Sequence, residues 1–400
     1  MSDNSPEERK IKVSGPNTKQ ETHWTRPVER KIFTKPFFIV MTFALIGLFF
    51  HLQRFFFGLG AVSNLNHGYA WGFWISFDVV VGTAIGSGGY AMALLVYIFN
   101  KGKLSPFVRP AILTAFLGYL MAGIAIVVDT GRYWNLYNMF RWPTSNIDTS
   151  IMVEVAISVA AYTGILFMEN TPAFLERFKK YEWRDKLNKA MFVLIAFGVL
   201  FPTLHQSSLG AMIIPMGDKV SPLWQTQFLP LLFLISALFI GMGAVVFENY
   251  GASMEFDRMC ERKDMAELMR FLPYFILVYL GIRFGDLIYR GAFSVFLEDP
   301  VESISFVFEN LFFIIPAIVL FSKELRYKRT IQFTMGLSIL IGGVLYRFNS
   351  YLIGFDPAPG WNYFPSFGEI FVSIGLVSFE IMLYMILVKT FPILSKPRTA

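Results

Sequence analysis

The chain has 400 residues, 54% of them hydrophobic and 17% aromatic, with a mean hydropathy of +0.50; a soluble fold of this length carries less apolar surface, so lipid is the expected solvent. Its net charge of +6 does not mark a nucleic-acid partner, because the basic residues fall in short clusters between apolar runs rather than on one face of a soluble domain. The single cysteine, Cys260, excludes an intramolecular disulfide and an iron–sulfur cluster held by several thiolates, so redox metals would have to come from a partner.

Residues 1–35 hold eight Lys/Arg and lack a short apolar core followed by a small-residue cleavage site, so they read as a retained cytoplasmic tail. Runs long enough to cross roughly 30 Å of hydrocarbon at about 1.5 Å per residue follow at 36–57, 73–99, 110–129, 149–168, 189–206, 229–249, 271–290, 303–321, 331–350 and 367–390. Backbone polar groups in lipid must be satisfied within their own segment, so each run is expected to be a helix. The fold class is therefore an all-α, polytopic transmembrane bundle of about ten helices over 36–391. Within it, 73–206 and 229–350 form two bundles, and 36–57 and 367–390 are terminal helices.

The tail, the connections 100–109, 169–189, 250–270 and 322–330, and the segment from Lys389 onward together hold 28 of the 35 Lys/Arg. The alternate connections hold only Arg132, Arg141, Lys219 and Arg290, and Arg54, Arg283 and Arg347 sit within spans. Basic residues are retained in the cytoplasm, which puts both termini there and runs odd-numbered helices outward. Two outer connections, 58–72 and 351–366, are rich in Gly, Pro and aromatics; an interfacial aromatic belt explains them, and a docking surface for an external partner is the sharper reading.

Charge in lipid is costly, so intramembrane ionisable groups are where function is expected. Asp78 on the second helix, Asp129 ending the third, Glu154 on the fourth and His205 closing the fifth all fall in the outer third, below Trp71, Trp74, Arg132 and Tyr133. A quinone needs such a place: an apolar cleft for its ring, a hydrogen-bonding group at each carbonyl, and acid/base residues for two protons. For His205 the competing reading is an interfacial hydrogen-bonded histidine, for Glu154 an arginine pair, for Asp78 an interhelical acceptor, and for Asp129 an ion pair with Arg132. Arg283, Asp286, Glu309, Arg347 and Glu369 are expected to neutralise one another. Glu248, Glu169 and Arg109 lie near inner helix ends, where snorkelling accounts for them; the other reading is the inner mouth of a proton path toward Glu154. Glu380, mid-helix, has no obvious partner. Gly82, Gly86, Gly88 and Gly89 make a close-packing face. Of the four histidines, His23 and His67 lie outside the spans, so His51 and His205 could bridge one haem at most, and the expectation is a haem-free chain.

The stretches RFFFGLGAVSNLNHGYAWGFWISFD (54–78), FNKGKLSPFVRPA (99–111), VDTGRYWNL (128–136), LFPTLHQSSLG (200–210), RFGDLIYR (283–290) and YFPSFGEIFVSIG (363–375) resemble the polysulfide reductase membrane subunit family of NrfD/PsrC type. Within it they most resemble the HybB-type subunits of hydrogenase-2-like nickel–iron hydrogenases. The resemblance implies a multi-pass protein of the bacterial inner membrane that binds menaquinone and carries neither haem nor iron–sulfur cluster. It also implies an external, periplasmic iron–sulfur subunit that relays electrons from nickel–iron hydrogenase subunits. It assigns Asp78, Arg132, Tyr133 and His205 to the quinone site and Glu154 and Arg109 to proton transfer; the depth reading adds Trp71, Trp74, Asp129 and Gln206 to the quinone site and Glu248 to the proton path, with Glu154, His205 and Asp78 expected to do the acid/base work. A proton-coupled transporter and a passive membrane anchor are the competing functions; a transporter predicts inverted repeats and broken helices at the midplane, which the sequence does not suggest.

Overall fold

The computed structural model describes residues 25–28, 30–141, 150–256, 262–357 and 359–394. His23 and Cys260 lie outside the described residues, as does most of the N-terminal tail. Ten helices are long and apolar enough to cross a membrane: α1 (Lys35–Phe57), α2 (Ile75–Ile98), α3 (Gly102–Asp129), α4 (Ile151–Arg177), α5 (Tyr181–Lys219), α6 (Leu229–Glu255), α7 (Arg262–Arg290), α8 (Pro300–Val319), α9 (Arg329–Ile353) and α10 (Phe367–Thr390). The protein is a multi-pass, all-α membrane protein. Among the described residues no strand forms; Val220 and Phe355 make one isolated antiparallel bridge.

Local chemistry explains where several helices begin. Ser150 opens α4 by accepting from the Val153 amide, and Asp299 opens α8 by accepting from Val301 and Glu302. Ser366 and Glu369 form a reciprocal capping box on α10. Each arrangement satisfies amides that have no partner inside the helix, which matters most where water is scarce. A left-handed glycine, Gly291 at φ 65°, closes α7, a conformation that a side chain resists.

Helices α2 and α6 are the most enclosed of the ten, with 83% and 78% of their apolar windows buried, so they form the centre around which the others pack. Contacts run from α2 to α3, α5, α6, α9 and α10, and from α6 to α5, α7 and α9. Glycines permit close approaches between helices. A Cβ on Gly241 of α6 would sit 2.5 Å from the Ser87 carbonyl carbon of α2, and one on Gly47 of α1 would sit 2.4 Å from the Gly375 Cα of α10. Backbones can meet this closely only without side chains, and dispersion then takes over the work of holding helices together in lipid.

Two features differ from the sequence expectation. The α-helical part of α5 runs to Ala211, past the expected end at 206, so His205 lies inside the helix rather than closing it. Gln206, Ser207 and Ser208 lower local hydropathy, but Gln206 and Ser208 spend their polar groups on partners within the bundle, and the helix continues. Helix α2 is uneven: residues 75–81 and 94–98 are π-helical, and the backbone flattens at Ser87 (φ −67°, ψ 0°) between them. A π turn admits an extra residue and re-aims the side chains around it, which is why such turns gather at functional sites.

Candidate functional site

His205 of α5 is fully buried. Its Nδ1 lies 2.8 Å from the Phe201 carbonyl, which can only accept, so Nδ1 carries the proton and Nε2 presents a lone pair in the neutral ring. Tyr119 of α3 meets that nitrogen, with Oη 2.6 Å from Nε2 and 3.1 Å from the Thr83 carbonyl of α2, so its single hydroxyl proton lies between two acceptors. Gln206 donates to Thr83 Oγ1 at 3.1 Å and stands 3.3 Å from His205 Nε2. Its other end accepts from Arg347 Nη2 of α9 at 3.4 Å. Edge-on contacts to Tyr119 hold the ring of Tyr162 on one side and the His205 imidazole on the other.

Arg347 is also fully buried, and it has no carboxylate. Nη2 donates to the Phe233 carbonyl at 2.9 Å and to Ser236 Oγ at 3.1 Å, and the guanidinium lies 3.7 Å from the Phe233 ring centroid. Its Nε and Nη1 are buried without a hydrogen-bond partner, a costly state for a cation in a dry interior. One buried polar network thus joins α2, α3, α5, α6 and α9, and it ends on two donors that find no hydrogen-bond partner among the described residues.

The expected mutual neutralisation therefore divides. Arg283 pairs with Glu309 at 2.5 Å, Asp286 pairs with Arg290 at 2.7 Å, and Glu369 accepts from the Asn64 and Ser366 amides and the Tyr363 hydroxyl. Arg347 stands apart, facing Gln206 rather than an acid.

The other candidate residues fall in separate places. Glu154 accepts from Ser208 Oγ at 2.7 Å, one turn from His205 along α5. Asp78 turns toward α10 and accepts from Ser373 Oγ at 2.6 Å, while Trp74 donates to the Glu369 carbonyl at 3.0 Å. Trp71 packs on Tyr351 with centroids 4.9 Å apart. Asp129 and Arg132 form no ion pair among the described residues: Arg132 is exposed and Asp129 Oδ1 is buried without a partner. Arg54 takes the end of α3 instead, donating to the Val128 carbonyl at 2.5 Å and the Thr130 carbonyl at 2.7 Å, with Tyr133 5.4 Å away under its guanidinium. Arg109 is paired with Glu176 at 3.0 Å and also holds Thr25 and the Pro392 carbonyl, tying α3, α4 and the two chain ends together. Glu248 accepts from Tyr384 of α10 at 2.6 Å.

The connections 58–72 and 351–366 pair with each other. Asn64 and Asn66 donate to the carbonyls of Phe364 and Asn362, Ser366 donates to the Val62 carbonyl, and Trp361 lies against Gly68 so closely that a Cβ there would be 2.4 Å from it. Tyr119 and Thr83 were not among the residues the sequence singled out, and Arg347 was expected to be neutralised by an acid on a neighbouring helix rather than to join this network.

The family described as Polysulphide reductase, NrfD matches residues 61–353. Three relatives align along most of their length. The "Probable Ni/Fe-hydrogenase 2 b-type cytochrome subunit" of Escherichia coli is 38% identical over 376 residues, covering 93% of this chain and 96% of that one. A protein of Nitratidesulfovibrio vulgaris is 33% identical over 371 residues, covering 88% and 92%. The "Menaquinone reductase, integral membrane subunit" of the same organism is 26% identical over 376 residues, covering 84% and 86%.

The first of these corrects one expectation: a relative named a b-type cytochrome subunit overturns the haem-free reading of the chain. The residues fit one axial ligand well. His51 Nδ1 lies 2.8 Å from the Gly47 carbonyl, which leaves Nε2 as the lone-pair nitrogen, buried and without a hydrogen-bond partner. His205 Nε2, by contrast, is held by Tyr119.

Proposed function

Because the chain belongs to the NrfD polysulphide reductase family, we propose that it is the membrane subunit that passes electrons from an external iron–sulfur partner to a quinone. The names of two relatives point to a nickel–iron hydrogenase as the electron source and to menaquinone as the acceptor. The observation that carries the reading is the buried network around His205: a lone-pair imidazole nitrogen under a tyrosine hydroxyl, beside an arginine with two free donors. Quinone reduction needs a proton donor at a carbonyl oxygen and a preorganised positive group to stabilise charge as electrons arrive. The Tyr119 hydroxyl supplies the first, held in place by the His205 lone pair, and Arg347 supplies the second through Gln206.

On this reading the quinone-site bundle is 73–206, backed by the second bundle at 229–350, and the tail-bearing quinone enters from lipid. Trp71, Trp74, Asp129, Arg132 and Tyr133 frame the outer approach, Asp78 serves the second carbonyl, and Glu154 refills the proton donors through Ser208. Both termini lie in the cytoplasm and the bilayer is the bacterial inner membrane, so electrons arrive from the periplasmic side. Haem, where bound, would supply a one-electron relay with His51 as ligand, and no step above passes through it.

Glu154→Gln removes a proton donor without changing shape. In the assembled complex, hydrogen-driven menaquinol formation should fall by about 100-fold, while reduction of a viologen dye, which draws electrons upstream, should stay at the wild-type rate. Equal loss of both activities would place Glu154 in assembly and remove its role here.

A further inference from the structure

On α10, Ser373, Glu380 and Tyr384 are spaced by seven and four residues, which keeps them on one face of a helix. That face carries a series of acids. At its outer end Ser373 donates to Asp78 of α2 at 2.6 Å, and at its inner end Tyr384 donates to Glu248 of α6 at 2.6 Å. Between them on the same face stands Glu380, with no hydrogen bond or ion pair among the described residues. From Ser373 to Tyr384 the helix rises about 16 Å, roughly half of a hydrocarbon core.

No cation pairs with any of the three carboxyl groups among the described ion pairs. An intramembrane acid is normally matched by a base or put to use. Glu380 lies beside the place where α3 meets α2: a Cβ on Gly118 of α3 would stand in ordinary contact with Glu380 Oε1 at 3.5 Å and with the Gly82 carbonyl and the Gly86 Cα of α2 at 3.8 Å.

We infer that Glu248, Glu380 and Asp78 form a proton route along α10, running from the Lys/Arg-rich end of the bundle to the quinone and separate from the His205 network. The inference rests on the proposed quinone chemistry. Each quinone takes two electrons from the external partner and two protons to become a quinol. Asp78 gives one proton to a quinone oxygen, Glu380 reprotonates Asp78, Glu248 reprotonates Glu380, and water at the inner face reprotonates Glu248. No covalent bond other than O–H forms or breaks.

The test uses the complete hydrogen-oxidising complex in liposomes, with menaquinone in the bilayer and a pH-sensitive dye reporting proton uptake at the Lys/Arg-rich face. Glu380→Gln should slow menaquinol formation and proton uptake together by at least about tenfold, leave viologen reduction unchanged, and be largely rescued by Glu380→Asp. Wild-type uptake and turnover in Glu380→Gln would overturn the route. If that variant fails to assemble, Tyr384→Phe, which keeps the ring, should still slow both readouts, and wild-type rates there would overturn it. A Glu380→Gln defect that Asp does not rescue would mark a packing role and likewise count against the route. Absence of menaquinol formation in the wild-type complex would instead remove the quinone reading itself, a failure visible before any variant is compared.

Discussion

At the scale of single residues, the chemistry turns on groups that lipid makes costly and on how each is compensated. His205 is compensated by Phe201 on one nitrogen and Tyr119 on the other; Arg347 is only partly compensated. Tyr119→Phe isolates the hydroxyl, because the ring that packs on Tyr162 remains. Menaquinol formation should fall by about 10- to 100-fold while dye reduction holds, measured on the purified complex; an unchanged quinone rate would remove Tyr119 as the proton donor. His205 and Glu154 were legible in the sequence because an ionisable group in a span stands out by depth alone. Tyr119 and Thr83 were not, since a tyrosine or threonine inside an apolar run is ordinary until its partner is known. The isolation of Arg347 from any acid depends on the rotation of α9, which hydropathy does not report, and the same ignorance of rotation let Asp129 be matched with Arg132 when Arg54 occupies the helix end.

At the scale of elements, close packing decides which faces meet. Helices α1 and α10 approach through Gly47 and Gly375, so Gly375→Leu inserts a side chain where backbone already stands. Overpacking of this kind costs about 1–3 kcal/mol, and the thermal midpoint of the detergent-solubilised protein should drop well below that of Gly251→Ala, a helical glycine with nothing within 4 Å. Equal midpoints would show that the Gly47–Gly375 contact is dispensable. The ten spans themselves were legible because hydrocarbon thickness imposes length and apolarity together, and each expected run falls within or close to an observed helix. What escaped was internal irregularity. The π turns of α2 leave no compositional mark, yet Asp78 within one of them meets Ser373 of α10, and Thr83 just beyond it meets Tyr119 and Gln206. The extension of α5 escaped because a hydropathy window counts Gln206 and Ser208 as polar and cannot see that their hydrogen bonds are made inside the bundle.

At the scale of the whole molecule, two polar systems each touch α2, one at Thr83 and the other at Asp78. One runs through His205, Gln206 and Arg347 across the centre of the bundle, and the other runs along α10 through Glu380 to Glu248. An arrangement with donors at one end and a proton-bearing row reaching the opposite face suits a subunit that receives electrons from outside and protons from within. His51 lies on α1 and bonds to the Gly47 carbonyl, so a haem held there would sit on the α1 side of α10. The central claim is that electrons reach quinone through this chain. The most direct measurement is hydrogen-dependent menaquinol formation, followed anaerobically by quinone absorbance, in the purified complex with and without this subunit. The account predicts menaquinol only when the chain is present, with viologen reduction equal in both preparations. Menaquinol formed at the same rate without the chain would contradict it.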